Sequence, residues 1–202
     1  MCSASGTPIT SVDYPYDLGY PYYMRLGPKN LQSILDDLDS ELAQAGAERS
    51  LTICGGGALL FLNIMERVTR DVDVITPELD PLLTQLAALL AKRHGLEENW
   101  LNNGPAALAR DLEPGWLTRT EPIFKGRALE LRTLGRRDLI ASKLFALCDR
   151  DEHDLDDLFR MKLIWSEVED LKEWILKRDA SSYWPERVER QLAKLKKRVE
   201  NG

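Results

Sequence analysis

The apolar positions of this chain change period along its length, and the changes divide it. From Gly27-Pro28 to about Gly46, Leu31, Ile34, Leu35, Leu38 and Leu42 recur at helical spacing, with Asp36, Asp37, Asp39 and Glu41 on the solvated side. A short apolar run, Leu51 to Cys54, then reads as a strand. Three glycines follow, and Gly57 to about Asn63 reads as a short helix. Residues 71–76 alternate as a second strand, stopped by Pro77. Asp80 to His94 is an amphipathic helix on Leu82, Leu83, Leu86, Leu89 and Leu90. Short helical pieces are expected over 97–110, a strand over Trp116–Thr120, a turn over Phe124–Arg127 and another strand over Ala128–Leu134. Beyond Arg136 the pattern is helical, at about 136–149, 151–162, 166–178 and 185–200.

This order predicts an α+β protein: a small mixed sheet with flanking helices, then a helical region. The expected divisions are an irregular arm over 1–27, an αβ unit over 28–135 and a helical unit over 136–202. The arm carries five of the six tyrosines, mixed with prolines, and is expected to be loosely attached and without function.

Composition narrows the setting. A hydrophobic content of 44% and a charged content of 30% over 202 residues are those of a globular protein. The net charge of −6 argues against broad nonspecific nucleic-acid binding and leaves room for a local basic patch. Cys2, Cys54 and Cys148 are too sparse for a disulfide framework or a zinc site, which fits a reducing cytoplasm. No apolar run approaches the ~20 residues of a membrane span, so no membrane association is expected.

Candidate chemistry concentrates in residues 51–76. On a strand, Asp71 and Asp73 point to one face and Val72 and Val74 to the other. Adjacent carboxylates are tolerated when solvated or when a divalent cation sits between them, and magnesium accepts one or two carboxylates plus substrate phosphates. Upstream, Gly55 and Gly56 close a strand-to-helix turn whose bare backbone can receive a phosphate. That order suggests metal-dependent chemistry on a nucleoside triphosphate. Two solvated acids on an edge strand and a merely tight turn are the plainer readings. A P-loop is excluded because no Lys-Ser/Thr follows the glycines, and the dinucleotide fingerprint because Leu60 stands where its third glycine belongs.

Gly55-Gly56-Gly57-Ala58 and Arg67-Val68-Thr69-Arg70-Asp71-Val72-Asp73 resemble the first two motifs of the nucleotidyltransferase superfamily, in the branch of AbiEii-type toxins and DUF6036 proteins. Asp138 to Leu147, with Lys143, is similar to that branch's third motif. Asp149 to Leu158, with Asp154 and Asp157, is similar to the fourth, although His153 stands where arginine is common. The resemblance implies magnesium on Asp71 and Asp73, and the triphosphate at Gly55, Gly56, Arg67 and Thr69. It places Lys143 on the phosphates, and Asp154 and Asp157 beside that lysine or the nucleotide. Superfamily members carry a third carboxylate on a later strand; Glu130 is the candidate by position, for metal ligand or base. A strand-surface glutamate, a lysine at the rim of a packed face and acidic capping of the following helix are the competing readings of these residues.

The activity so implied is transfer of a nucleoside monophosphate from an NTP to an RNA, tRNA among the candidates, or to a protein. A toxin-like role and a cognate antitoxin partner come with it. The alternative is a non-catalytic protein of the same fold that holds an NTP or a partner.

Overall fold

The computed structural model describes residues 23–149, 153–178 and 181–201. The tyrosine-rich stretch up to residue 22, Cys2 and the expected helix start at Asp151 lie outside the described residues. A five-stranded mixed sheet, ordered β3-β2-β1-β5-β4, organises the rest.

Helix α1, Leu31–Gln44, buries Leu31, Ile34, Leu35, Leu38 and Leu42, the stripe its spacing predicts. It leads into β1, Arg49–Cys54, the central strand. The chain turns at once into α2, Gly55–Phe61, so the glycines form the first turn of that helix and do not precede it. Strand β2, Val72–Thr76, returns antiparallel to β1 and pairs Asp73 with Cys54 and Val74 with Ile53. Helix α3, Pro81–His94, is held at its start by Asp80, whose side chain accepts from Leu83 N, and ends at Gly95 with φ 65°. It packs against α1.

The 97–110 region holds the two-residue strand β3, Leu101–Asn102, a 3-10 turn over Gly104–Ala107 and the short α4, Leu108–Asp111. The expected strand over Trp116–Thr120 is instead a 3-10 turn over Trp116–Arg119. Gly115 enters it at φ 81°, and the Thr118 and Thr120 hydroxyls donate back to the carbonyls of Gly115 and Leu117 at 2.7 and 2.9 Å. Such local bonds satisfy the backbone without a sheet partner. The strand comes directly after, as β4, Glu121–Lys125, which takes in Phe124 and Lys125 from the expected turn. Strand β5, Leu129–Thr133, lies between β4 and β1, antiparallel to the first and parallel to the second.

Four helices complete the chain: α5, Arg136–Asp149; α6, His153–Arg160; α7, Trp165–Leu176; and α8, Trp184–Asn201. Buried apolar side chains from Leu26 to Leu195 form one core cluster. The end of the expected arm is fastened: Leu26 is fully buried and exchanges two backbone hydrogen bonds with Thr69 at 2.9 and 2.8 Å.

One acid of the α1 outer face is not solvated. Asp39 is buried and accepts from the backbone N–H groups of Ala128 and Leu129 at 2.7 and 2.8 Å. It ties α1 to the β4–β5 turn, where a Cβ on Gly126 would collide with its carboxylate.

Candidate functional site

A cavity of about 340 Å³ opens where the α2 turn, β2, the Gly104–Ala107 turn and α5 meet. Gly55, Gly56, Asp73, Lys143, Asp149 and Asp154 are on its wall. The register explains Asp73: as partner of Cys54, it stands beside the residue that begins the glycine turn. Gly55 has φ 67°, and a Cβ there would lie 2.5 Å from Asp73 Oδ2. A Cβ on Gly56 would lie 2.7 Å from Thr69 Oγ1. The two glycines therefore let the side chains of Asp73 and Thr69 close onto the turn, which no other residue type permits at position 55 without strain.

Lys143 projects from α5 into a carboxylate pair on α6. Its Nζ donates to Asp154 Oδ1 at 2.9 Å and to Asp157 Oδ2 at 2.8 Å. Asp154 and Asp157 are three residues apart on a helix and so share a face. Arg67 Nη2 donates to the same Asp157 oxygen at 3.0 Å. The four groups form one neutral network that links the motif loop, α5 and α6. Burial alone would lower the Lys143 pKa, but Asp154 and Asp157 outweigh it and hold the ammonium above its ordinary value. The other oxygen, Asp157 Oδ1, is buried without a hydrogen-bond partner among the described residues.

Asp71 does not share the cavity. Strand β2 begins at Val72, so Asp71 belongs to the loop before it and faces a second, open pocket with Thr69, Arg67 and Arg70. Burial raises its pKa, opposed by the Thr69 hydroxyl at 3.5 Å. The two aspartates thus flank the glycine turn, Asp73 against Gly55 and Asp71 behind the Thr69 that abuts Gly56.

Glu130 is not brought to the site. It is level with Ser50, while Asp73 is level with Cys54, so the two are separated by roughly 13 Å along the strands at ~3.3 Å per residue. Its carboxylate pairs with Arg132 at 2.9 Å. Strand β5 ends at Thr133, level with Ile53 and buried, so its one carboxylate, Glu130, does not reach the level of Cys54.

Among the described residues no group of three or more His, Cys, Asp or Glu side chains is placed to hold a metal ion. The oxygen donors that fit a hard cation are Asp73, closed onto Gly55, and Asp71 on the other side of the turn. Within the cavity that leaves Asp73 alone, and one carboxylate plus substrate phosphates is a set that magnesium accepts. Cys54 is buried, and burial pushes its thiol far above the ordinary range, which suits a strand residue and not a nucleophile. His94 is bonded to Asp37 at 2.8 Å, away from the cavity.

Sequence reasoning missed Arg178 and Asp111. They form an ion pair at 2.9 Å on the cavity wall, with the guanidinium 5.2 Å from the centres of the Phe145 and Trp184 rings. The Asp111 and Phe145 contacts join segments distant in sequence, and no local pattern marks them. Asp149, in contrast, opens the fourth motif and was within reach.

No helix among the described residues is long and apolar enough to cross a membrane. No curated protein and no solved structure significantly matches the chain. One family model does, over residues 29–199, and it describes nucleotidyltransferases of unknown function. That span takes in α1 through α7 and most of α8, the glycine turn, Asp71, Asp73 and the Lys143 network, and the chain belongs to this family, DUF6036.

Proposed function

We propose that the chain is a magnesium-dependent nucleotidyltransferase. It moves a nucleoside monophosphate from an NTP to an RNA, tRNA among the candidates, or to a protein. It would act in the cytoplasm as the toxin-like member of an AbiEii-type toxin–antitoxin or phage-defence pair. The observation that carries the reading is the closure of Asp73 onto Gly55 in a cavity that Lys143 also lines.

Gly55 and Gly56 present backbone to the cavity, where phosphate oxygens can approach without meeting a side chain. Asp73 would hold magnesium together with those oxygens, and the ion would supply neutralisation of the phosphate charge; Asp71, the other expected ligand, faces the second pocket and would have to turn toward the cavity to join it. Lys143 adds an ammonium whose charge is balanced by Asp154 and Asp157 and whose position is fixed by them. Because Asp154 and Asp157 anchor its ammonium, it keeps its place whether or not a nucleotide is bound. In the transfer, an acceptor oxygen bonds to the α-phosphorus while the bond from that phosphorus to the leaving pyrophosphate breaks.

A second reading, binding without turnover, is favoured by one observation: the carboxylate of β5, Glu130, is level with Ser50, four residues short of Cys54 and Asp73. Purified protein incubated with each α-labelled NTP, magnesium, RNA and protein acceptors separates the two. Label in an acceptor that is lost in Asp73→Asn supports transfer. NTP binding without label supports the second reading. Neither binding nor label refutes both.

A further inference from the structure

The second pocket has a composition the first does not. It encloses about 370 Å³ and is lined by Arg25, Arg67, Val68, Thr69, Arg70 and Asp71. Three guanidinium groups there face one carboxylate, in a chain whose net charge is −6. Arg25 lies ahead of residues 29–199, the span the family model matches. It reaches the motif loop because Leu26 and Thr69 exchange backbone hydrogen bonds at 2.9 and 2.8 Å. With Leu26 fully buried, its neighbour Arg25 is directed to the outside, where side chains alternate along extended backbone.

Among the described residues little of this donor capacity is used. Each guanidinium carries about five N–H donors. Arg67 gives one nitrogen to Asp157 at 3.0 Å. Arg25 lies 3.7 Å from Glu97 Oε1, beyond hydrogen-bond reach. Arg70 is exposed and acts on Asp71 through its charge. Convergent, under-used guanidiniums are suited to phosphate oxygens, which they bind in bidentate fashion. The pocket also shares a wall with the cavity: Gly56 lines the cavity, and Thr69, which lines the pocket, sits where a Gly56 Cβ would lie 2.7 Å from its Oγ1.

We propose that Arg25, Arg67 and Arg70 form a phosphate-binding subsite on the outer side of the glycine turn, with Arg25 brought to it by the pairing of Leu26 with Thr69. It rests on the transferase reading for its role, since the phosphate it holds belongs either to the nucleotide's polyphosphate tail or to the acceptor's backbone.

The test uses the full chain with Arg25→Gln, Arg70→Gln and the pair, and with Arg93→Gln as control, an arginine bound to Glu41 elsewhere. Arg67 is left in place because it also holds Asp157. Binding of inorganic tripolyphosphate and of a short single-stranded RNA is measured by calorimetry. Each substitution should weaken one of these probes roughly tenfold, the worth of a charge-assisted hydrogen bond, and Arg93→Gln neither. Arg70→Lys should recover part of the loss. Loss confined to tripolyphosphate assigns the subsite to the nucleotide tail; loss confined to RNA assigns it to the acceptor. Unchanged affinity for both probes overturns the inference. The transferase reading is tested separately by Asp73→Asn. Transfer that needs Asp73 but ignores Arg25 and Arg70, with both affinities unchanged, leaves that reading standing and overturns the subsite. Arginine-dependent anion binding in a chain without transfer does the reverse.

Discussion

Replacing Lys143 with methionine tests whether the buried network is what joins α5 to α6. The substitution keeps the length of the side chain and removes its charge. Asp157 is then left with Arg67 alone at 3.0 Å, only 1% exposed and with Oδ1 already unpartnered. Asp154 loses less, because its side chain is 20% exposed and can turn to water. Removing one member of a buried pair costs about 3–5 kcal/mol, mostly from the stranded charge. The remaining Arg67 contact places this case near the lower end, about 3 kcal/mol. In a chain of this size that lowers the melting temperature by about 6–12 °C. Thermal and urea unfolding followed by circular dichroism would measure it. The sign of the pH dependence is fixed too. The Lys143 pKa is higher in the folded state, so its contribution is complete below the unfolded value and is lost as pH climbs through the folded one. Lys143→Met should abolish that alkaline loss. Adding Asp157→Asn should return about 1–2 kcal/mol, since the charge that was stranded is gone. A melting shift under about 2 °C, or strictly additive losses, would refute the account.

Asp39→Ala removes two charge-assisted bonds from backbone N–H groups and should cost on the order of 3 kcal/mol by urea unfolding. Burial raises the Asp39 pKa, but the N–H groups of Ala128, Arg127 and Leu129 outweigh it and hold the carboxyl below its ordinary value. Its contribution is therefore complete above the unfolded pKa and lost as pH falls through the folded one, and Asp39→Asn should flatten that acid limb. Gly55→Ala forces a left-handed residue to carry a Cβ 2.5 Å from Asp73 Oδ2; it should lose about 1–2 kcal/mol of stability and most nucleotide affinity, read by melting and calorimetry. Glu130→Gln should leave nucleotide binding within about twofold, because its carboxylate is engaged by Arg132 away from the cavity.

The elements with long, regular periods were legible. Leu31 to Leu42 and Leu82 to Leu90 have no reading but amphipathic helices, and Asp80 and Gly95 mark the ends of the second. Trp116-Leu117 misled because an aromatic and an apolar residue beside threonines look like a strand, while the turn depends on Gly115 and on hydroxyls bonding backwards. Asp39 was unreadable for a different reason. Its place on α1 is that of a solvated acid, and the backbone it holds is about ninety residues away. In the site, Lys143, Asp154, Asp157 and Arg67 stood out as motif residues; that they neutralise one another depends on how α6 packs on α5. Glu130 failed on register. A parallel pairing is set by the whole sheet, so the level of a residue on β5 relative to β2 is not written beside it.

The alternation rule that puts Asp71 and Asp73 on one face holds only while both are in the strand, and β2 starts between them. What holds Asp71 is the loop, and the loop is held by Leu26 through Thr69. Thr69 in turn is the side chain that closes on Gly56. The N-terminal segment therefore bears on the position of one candidate metal ligand as well as on the arginine pocket, although it precedes the span shared with the family. Leu26→Ala would leave a void in a fully buried place and free the Thr69 loop at once. The expected consequence is graded: Asp73 stays fixed by its pairing with Cys54, while Asp71, Arg25 and Arg70 lose their common anchor.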